Sequence, residues 1–225
     1  MSKCESCIIR QFNSLKSLSR EELMRISACK TSKVVKKGEV IFEEGESLKG
    51  VYCVREGVCK LTKLSANGKD QIVRLVVKGE LLGQRSLVGS ETTNLSAVAL
   101  KDMEVCFIPK EEIINDLQKS RDFSIDMLQH MASDLRESDN IIVDMAQKSV
   151  KQRMAETLIH LNEKFGVNEE GMLDITLSRE DYANLVGTAT ESAIRILSEF
   201  KREGLIATSG KQIMIKDLNA LERVE

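Results

Sequence analysis

The chain has 225 residues, of which 42% are hydrophobic and 30% charged, and its formal net charge is −2. This composition is typical of a globular protein and excludes an intrinsically disordered chain. No apolar run approaches the roughly 20 residues of a membrane span, and the first residues, MSKCESC, lack the apolar core of a signal peptide. We therefore expect a cytoplasmic protein with no membrane partner. Six cysteines in no regular framework favour reduced thiols over disulfides.

The first predicted element is a helix that follows a polar tail. The tail carries Cys4 and Cys7, and the helix begins near Ser19. Ser19 and Glu22 have the spacing of a capping box, in which each side chain accepts a hydrogen bond from the backbone N–H of the other residue. We therefore expect a stable helix start at this point.

Short β-type runs separated by glycines fill the region from about residue 34 to residue 108. The best strand candidates are 51–54, 58–61, 72–77 and 105–108. Asn67-Gly68 predicts a hairpin turn between two of them. Short strands with regularly spaced turns predict a β-sandwich or a barrel-like roll. Pro109, the only proline, closes the last strand and suits the first turn of a helix.

A long helical region follows, with one stripe of mainly apolar residues. The stripe consists of Leu128, Met131, Leu135, Ser138, Ile142 and Met145. Alternating three- and four-residue spacing predicts the dimer seam of a coiled coil just under three heptads long. The alternative is a helix that packs only on its own domain.

Residues 176–206 predict two short helices joined by a tight turn, which is helix-turn-helix geometry. Ser178 and Thr188 each precede an acidic residue by three positions, so both have the spacing of a capping residue. Gly187 permits the left-handed conformation that the turn requires. The predicted helices span about 179–186 and 189–203.

The second of these helices leaves Glu191 and Arg195 facing outward, four residues apart. An arginine fork fits guanine O6 and N7, and a glutamate accepts a hydrogen bond from cytosine N4. The alternative is that the two residues pair with each other on a solvated face. Residues 207–215 favour base reading, because a glycine turn with apolar alternation predicts a β-hairpin wing. The predicted DNA contacts are Thr190, Glu191, Ser192, Ile194, Arg195, Ser178 and Lys211.

Charge limits the strength of nonspecific DNA binding. From Lys148 onward the chain has 11 Lys and Arg against 13 Asp and Glu, so this half is not basic overall. Phosphate contacts would have to come from a local patch, and we expect a modest salt dependence. The candidates for this patch are Arg179, Lys201, Arg202 and Lys211.

Taken together, nearly the whole chain resembles the Crp/Fnr family of regulators. The resemblance rests on 37–42 (KGEVIF) with Glu44-Gly45, on Gly57, on 79–83 (GELLG), on the dimer helix and on 177–205. It implies an α+β protein with an N-terminal β-roll (jelly roll) of the cyclic-nucleotide-binding type, a long dimerisation helix and a C-terminal winged helix-turn-helix. The expected bounds are 1–18 for the cysteine-containing tail and helix start, 19–118 for the roll, 119–147 for the dimer helix and 148–225 for the DNA-binding domain.

The resemblance also implies a function. Family members are homodimeric transcription regulators, most often activators, that bind palindromic double-stranded DNA and contact RNA polymerase. Glu191 and Arg195 match the family's base-reading pair, whereas Thr190 replaces a further arginine of the cyclic-AMP branch. The alternative is a ligand- or redox-sensing module that acts through protein contacts. Two isolated histidines, with no phosphate loop or nucleophile elbow, disfavour an enzyme.

The sensor site is less well defined. In family members that bind a cyclic nucleotide, a glutamate takes the ribose hydroxyl, and an arginine followed by a serine or threonine takes the phosphate. By resemblance these positions fall on Gln84, Thr93 and Asn94, which disfavours cyclic AMP. Arg85 lies nearby, and we expect it in a surface or inter-domain ion pair. The candidate pocket residues are Gly79, Glu80, Gly83, Gln84, Arg85, Thr93 and Asn94.

The oxygen-sensing branch of the family offers a different sensor, an iron–sulfur cluster held by cysteines. Cys4 and Cys7 resemble its first two ligands and Cys106 its roll ligand, while Asn13 stands at the third N-terminal position. Such clusters are usually held by four thiolates, and Cys29 is a candidate fourth if the N-terminal helix folds back. The alternative is that the cysteines in the predicted strands are buried as small apolar residues and have no further role. These cysteines are Cys53, Cys59 and Cys106. A metal centre, a thiol redox role and no cysteine function therefore stay open, and the effector is unknown.

Overall fold

The computed structural model describes residues 4–66 and 68–224, so the predicted turn residue Asn67 lies outside the described residues. The chain forms two compact units. The first contains the described residues up to Leu64 and then Val73–Glu137, and the second contains the described parts of Ser65–Ile72 and Ser138–Glu225. This division falls inside the longest helix, whereas the sequence suggested a boundary at its end.

The element order follows the prediction. The helices are α1 (Arg20–Cys29), α2 (Gln84–Gly89), α3 (Lys110–Lys119), α4 (Arg121–Gln147), α5 (Val150–Phe165), α6 (Arg179–Val186), α7 (Thr190–Arg202) and α8 (Leu218–Glu222). The strands are β1 (Thr31–Val35), β2 (Val40–Phe42), β3 (Gly50–Glu56), β4 (Val58–Leu64), β5 (Asp70–Val77), β6 (Leu81–Leu82), β7 (Ser96–Ala99), β8 (Met103–Pro109), β9 (Ile206–Ser209) and β10 (Gln212–Ile215). Three short 3₁₀ helices precede α1, at Cys4–Ser6, Ile8–Phe12 and Ser14–Ser17.

The predicted β-roll is confirmed as two four-stranded sheets, in the orders β1-β8-β3-β6 and β2-β7-β4-β5. The four strand candidates from the sequence lie within β3, β4, β5 and β8. Residues from both sheets share one apolar core, which includes Phe42, Val54, Cys59, Ala97 and Val105. The two sheets pack face to face, and this packing buries the apolar side of each strand, which the alternating sequence pattern predicts.

A second core lies on the other face of the β1-β8-β3-β6 sheet. Successive strand residues point to opposite faces, so Cys53 of β3 and Cys106 of β8 belong to this second core, while Val54 and Val105 belong to the first. Helices cover the second core, including Phe123 near the start of α4. The first part of α4 is therefore an integral part of the roll unit.

Helix starts in the first unit follow the sequence signals. Ser19 caps α1, and Glu22 completes the predicted capping box. Pro109 ends β8 and is the N-cap of α3, as its fixed backbone angle suggests. None of the helices in 4–66 and 68–224 combines the length and the hydrophobicity of a membrane-spanning segment.

The second unit is a small helical domain with a β-hairpin. Its core contains Met154 and Leu158 of α5, Tyr182 of α6 and Phe200 of α7, all fully buried. Strands β9 and β10 pair antiparallel, with Ile213 opposite Thr208. The N–H of Leu173 donates to the carbonyl oxygen of Ile213 at 2.8 Å, which ties the preceding loop to the hairpin. This hairpin confirms the predicted wing.

Candidate nucleic-acid interface and sensor sites

The helix-turn-helix begins with the predicted capping box. The N–H of Asp181 donates to Ser178 Oγ, and the N–H of Ser178 donates to Asp181 Oδ2, each at 3.0 Å. Helix α6 ends at Val186, and its C-cap is Gly187, which has φ 68° and ψ 53°. A residue with a side chain is strained in this left-handed conformation. The predicted role of Gly187 in the turn is therefore confirmed.

The predicted cap of α7 is wrong. Ala189, not Thr188, is the N-cap, and no side chain accepts a hydrogen bond there. Instead, the backbone N–H of Thr188 donates to the carbonyl oxygen of Ala183 at 3.0 Å. Thr188 thus belongs to the closing turn of α6, and α7 begins at Thr190.

Helix α7 has two sharply different faces. Its buried face consists of Ala193, Ile196, Leu197 and Phe200, as predicted. Glu191, Ile194 and Arg195 are exposed, and Thr190 and Ser192 are partly buried beside them. Helix α7 forms ion pairs through Glu199 to Lys151 of α5. Within 4–66 and 68–224, neither Glu191 nor Arg195 has an ion-pair partner. The alternative in which these two residues pair with each other is not formed.

Basic side chains flank this exposed face. Lys201 and Arg202 are exposed at the end of α7, and Lys211 is exposed at the turn of the wing. Arg179 has a structural role, because its Nη2 donates to the carbonyl oxygen of Gly210 at 3.1 Å. Its guanidinium also lies 6.0 Å from the ring centre of Tyr182. Arg179 therefore fixes the wing to the start of α6.

Only half of the residues in the predicted dimer seam on α4 are exposed to solvent. Leu128, Leu135 and Ile142 are 63%, 63% and 66% exposed, and they are spaced by seven residues. The other three predicted seam residues are partly buried within the protomer: Met131, Ser138 and Met145. Met131 packs against the second core of the roll. An exposed leucine and isoleucine stripe with a heptad repeat has the pattern of a coiled-coil interface.

A small pocket lies at the position of the predicted ligand site. Five of the seven predicted residues line it, namely Gly83, Gln84, Arg85, Thr93 and Asn94. Glu80 lines a neighbouring cavity instead, and Gly79 lines neither. The free volume of the pocket is about 40 Å³, whereas a single water molecule needs roughly 10–15 Å³. Thr93 Oγ1 donates to the carbonyl oxygen of Glu43 at 2.6 Å, so its hydroxyl is already engaged.

Two charged residues of this pocket were missed from the sequence, Arg74 of β5 and Asp134 of α4. Arg74 binds both Asp134 and Glu80, and Arg85 Nη2 lies 3.3 Å from Asp134 Oδ2. Asp134 is only 8% exposed. One feature of the sequence could have identified Arg74 in advance, namely that it is a charged residue in the middle of the otherwise apolar strand 72–77. An internal ion-pair network therefore occupies one wall of the pocket.

Four of the six cysteines converge on the second core. Cys4, Cys53 and Cys106 are buried in it, and Cys7 packs against it. Cys59 lies in the core between the two sheets. Cys29 belongs to neither core, and its Sγ donates to the carbonyl oxygen of Ile26. The predicted ligands Cys4, Cys7 and Cys106 are thus brought together, and Cys53 joins them.

Burial favours the protonated form of two thiols in this cluster. It raises the pKa of Cys53 to about 12, with a further contribution from the thiol of Cys106. Burial also raises the pKa of Cys4, although a hydrogen bond from Lys30 opposes the shift. In the part of the chain that the structure describes, no three His, Cys, Asp or Glu side chains stand ready to hold a metal.

Comparison with known proteins matches both units. Residues 32–120 match the family profile of the cyclic nucleotide-binding domain, and residues 152–224 match that of the Crp-like helix-turn-helix domain. The chain belongs to the Crp/Fnr family. It is a DNA-binding transcription regulator.

Relatives within the Crp/Fnr family cover almost the full chain. The anaerobic regulatory protein of Haemophilus influenzae is 28% identical over 222 residues, which are 97% of this chain and 86% of the relative. The fumarate and nitrate reduction regulatory protein of Escherichia coli K12 is 27% identical over 224 residues, 98% and 89% of the two chains. A Crp/Fnr transcriptional regulator from Thermus thermophilus superposes with a TM-score of 0.73 at 27% identity, over 85% of this chain and 96% of the other. Crp/Fnr regulators bind DNA as dimers and contact RNA polymerase.

Proposed function

We propose that this regulator reads a palindromic operator as a homodimer, with Glu191 and Arg195 of α7 contacting base edges in each half-site. The observation that carries the proposal is the exposed, unpaired state of both side chains on a helix whose opposite face is fully packed. An arginine fork and a glutamate one turn apart can read the two bases of one G·C pair. Thr190, Ser192 and Ile194 complete this reading face.

Phosphate contacts come from residues around the helix pair. Ser178 lies at the N-terminus of α6, where free N–H groups favour a phosphate, and Lys211 projects from the wing. Lys201 and Arg202 add charge at the end of α7. Because so few cations are involved, binding should depend only modestly on salt.

Dimerisation through Leu128, Leu135 and Ile142 would place two α7 helices at half-site spacing. We infer that bound dimers contact RNA polymerase and activate transcription in the cytoplasm, where the operator DNA lies. No enzymatic activity is proposed, because the exposed side chains of α7 and the wing fit DNA rather than a catalytic centre.

The experiment is a comparison of Arg195→Ala with Arg202→Ala, two exposed arginines on the same helix. The operator is first selected from a pool of random duplexes, and fluorescence anisotropy then gives affinities for the operator and for a scrambled duplex. Arg195→Ala should weaken operator binding by about 1–3 kcal/mol, roughly 5- to 150-fold, and leave scrambled binding nearly unchanged. Arg202→Ala should weaken both modestly and equally. Equal loss on both duplexes for Arg195→Ala would refute base reading.

We further propose that the regulatory signal enters through the thiols of the second core rather than through a cyclic nucleotide. Arg74 and Arg85 both line the pocket at Thr93, but each is paired with Asp134 and is therefore not available to a cyclic phosphate. In contrast, Cys4, Cys7 and Cys106 all lie in or against the second core and are soft donors of the kind that an iron–sulfur cluster uses, although in the part of the chain that the structure describes they are not arranged to hold one. Such a cluster, when bound, supplies a redox-active group that responds to oxygen.

Direct thiol oxidation is the competing reading, and the chemistry of the site disfavours it. The thiolate is the reactive form of cysteine, and a raised pKa keeps a thiol protonated and slow to react. Cys53 and Cys4 both have raised pKa values in this core. Metal binding follows a different rule, since the metal itself displaces the thiol protons.

A further inference from the structure

One arginine of α5 reaches the ends of two other helices. Arg153 Nε donates to the carbonyl oxygen of Val186, the last residue of α6, at 2.8 Å. Arg153 Nη1 donates to the carbonyl oxygen of Lys148, just after α4, at 2.6 Å, and it lies 3.5 Å from that of Met145. The last four carbonyls of a helix have no partner within the helix, and a cation near them is favourable. Arg153 therefore bonds to the end of α4 and to the end of α6 at the same time.

Both groups of carbonyls lie where the chain turns between helices. Residues 148 and 149 alone join α4 to α5, and residues 187–189 alone join α6 to α7. Because the second link is so short, a contact that holds Val186 also places the start of α7, and Glu191 lies in the first turn of that helix. All of these residues belong to the second unit, so the contacts form within that unit.

A second contact joins the same two places. A Cβ built on Gly187 would lie 2.9 Å from Met145 Sδ, so the thioether of Met145 lies directly against the turn before α7. Ile142, about one helical turn earlier on α4, is 66% exposed and is the last exposed residue of the proposed dimer seam. The end of this seam is therefore linked to the turn before α7 through both the backbone and a side chain of Met145.

Helix α5 holds the other end of α7 through a different side chain. Lys151 Nζ donates to Glu199 Oε1 at 2.7 Å and lies 5.9 Å from the ring centre of Phe200. Among the described residues, the ion-pair partners of Lys151 are Glu199 and Glu203, both at the end of α7. Lys151 therefore fixes α7 to α5, whereas Arg153 also binds the end of α4.

We infer that Arg153 is a positioning residue for operator binding, which fixes the turn before α7 to the end of α4 and so sets the half-site spacing that the dimer accepts. The two recognition helices of a helix-turn-helix dimer must match half-sites about one DNA turn apart. One added base pair shifts a half-site by about 3.4 Å and rotates it by about 35°. A loose joint between α4 and α7 would accept such a change, and a fixed one would not. The inference rests on the proposed palindromic reading and names the residue that sets its geometry.

The test compares operators of different half-site spacing on the full-length protein. The operator selected by the wild type is lengthened or shortened by one base pair at its centre, and fluorescence anisotropy gives the affinities for all three duplexes. The wild type should bind the selected spacing about tenfold or more tightly than the other two, because a fixed dimer reaches a displaced half-site only by deforming the duplex. Arg153→Ala should bind the three duplexes within about twofold of one another, since a flexible joint reaches every spacing and favours none.

Two further variants separate positioning from a general loss of structure. Lys151→Ala is the matched control, because Lys151 is also half-buried on α5 and holds α7 without binding α4. It should keep the wild-type preference for the selected spacing. Arg153→Lys keeps the charge, but one ammonium cannot replace two guanidinium nitrogens bonded to separate carbonyls. It should fold like the wild type by circular dichroism and lose the spacing preference, so it decides the question if Arg153→Ala does not fold.

Hydrogen exchange of the free protein tests the same link without DNA. Arg153→Ala and Arg153→Lys should speed the exchange of backbone amides at 148–150 and at 187–190 together, because one guanidinium holds both places. Lys151→Ala should leave both segments at the wild-type rate. Unchanged exchange at both segments in the Arg153 variants would overturn the inference. An unchanged spacing preference in these variants would do the same, as would an equal loss of preference in Lys151→Ala.

A scrambled duplex in the same assay keeps the two proposals distinct. A wild type that discriminates operator from scrambled duplex but accepts all three spacings equally leaves base reading intact and overturns the role of Arg153. A wild type that does not discriminate the duplexes refutes base reading, whereas faster exchange at both segments in the Arg153 variants would still support the link between α4 and the turn before α7.

Discussion

Arg74 of β5 and Asp134 of α4 form a largely buried ion pair, with Arg74 Nη1 donating to Asp134 Oδ1 at 2.5 Å. Arg74 Nη2 donates to Glu80 Oε1 at the same distance. Burial alone would lower the pKa of Arg74, but Glu80 and Asp134 outweigh it, so the net shift is upward. The pair joins a strand of the roll to α4, the helix on which the dimer seam is predicted.

Removing Arg74 should destabilise the roll strongly. Arg74→Ala removes the guanidinium that pairs with the buried carboxylate of Asp134. Breaking a buried ion pair in this way typically costs about 3–5 kcal/mol of stability. Urea unfolding followed by circular dichroism measures the loss. Arg85→Ala is the control, because Arg85 contacts the same carboxylate but its side chain is 45% exposed, and it should cost about 0–1 kcal/mol. Equal losses in the two variants would show that the buried pair has no special role.

The turn between α6 and α7 provides a second prediction, at Gly187. A Cβ at this position would lie 2.9 Å from Met145 Sδ, in a left-handed backbone conformation. Gly187→Ala should therefore cost about 1–2 kcal/mol for the backbone alone, and more for the contact. It should also weaken operator binding, because strain in the turn that joins α6 to α7 changes the position of α7. Denaturant unfolding and anisotropy measure the two effects.

Gly204→Ala is the control that separates the backbone strain of Gly187→Ala from its contact with Met145. Gly204 has φ 77°, but a Cβ there meets nothing within 4 Å. Its substitution should carry the backbone penalty alone and leave operator affinity nearly unchanged. A Gly187→Ala variant no less stable than Gly204→Ala would show that Met145 moves aside freely.

Local sequence signals predicted the helix-turn-helix well, because caps, turns and apolar spacing act over three or four residues. Ser178, Gly187 and the buried face of α7 are examples. The start of α7 was misplaced because the backbone of Thr188 is used by the previous helix. The heptad spacing of the apolar residues in α4 also cannot show that some of their side chains, such as that of Met145, pack within their own protomer.

Contacts between distant residues could not be predicted in this way. Arg74 and Asp134 are 60 positions apart, and nothing in their local sequences points to each other. The pairing of Cys53 with Cys106 depends on strand register, and a slip of one residue would move each thiol to the other face. Cys53 therefore read as an ordinary buried cysteine until the sheet was known.

The exposed stripe on α4 should hold the dimer together. Leu135 lies at its centre, so Leu135→Glu places a carboxylate from each protomer in the seam. The dimer dissociation constant should rise by about 30-fold or more, equivalent to about 2 kcal/mol. Sedimentation measures it, and operator affinity should fall with it. Val143→Glu is the control, since Val143 is 56% exposed on the same helix but one residue off the heptad positions. A Leu135→Glu variant that stays dimeric would refute the seam.

Cys59 should make the protein less stable in alkali. Burial raises the pKa of its thiol to about 12, from an ordinary value of about 9. Between these values the unfolded chain has lost the proton that the folded chain keeps, so the unfolded state binds fewer protons. The stability from this thiol is complete below pH about 9 and is lost as pH rises towards 12. The slope is at most about 1.4 kcal/mol per pH unit.

Cys59→Ala isolates this contribution, because other titrating groups act equally on both proteins. The free energy of unfolding of metal-free wild type and variant is measured by urea titration from pH 7 to pH 10.5. Between pH 7 and 8 the difference should be constant and should favour the wild type, whose sulfur fills the core between the sheets. Above pH about 9 the difference should shrink as pH rises. A difference that stays constant up to pH 10.5 would mean that the thiol ionises in the folded protein, and hence that water reaches this core.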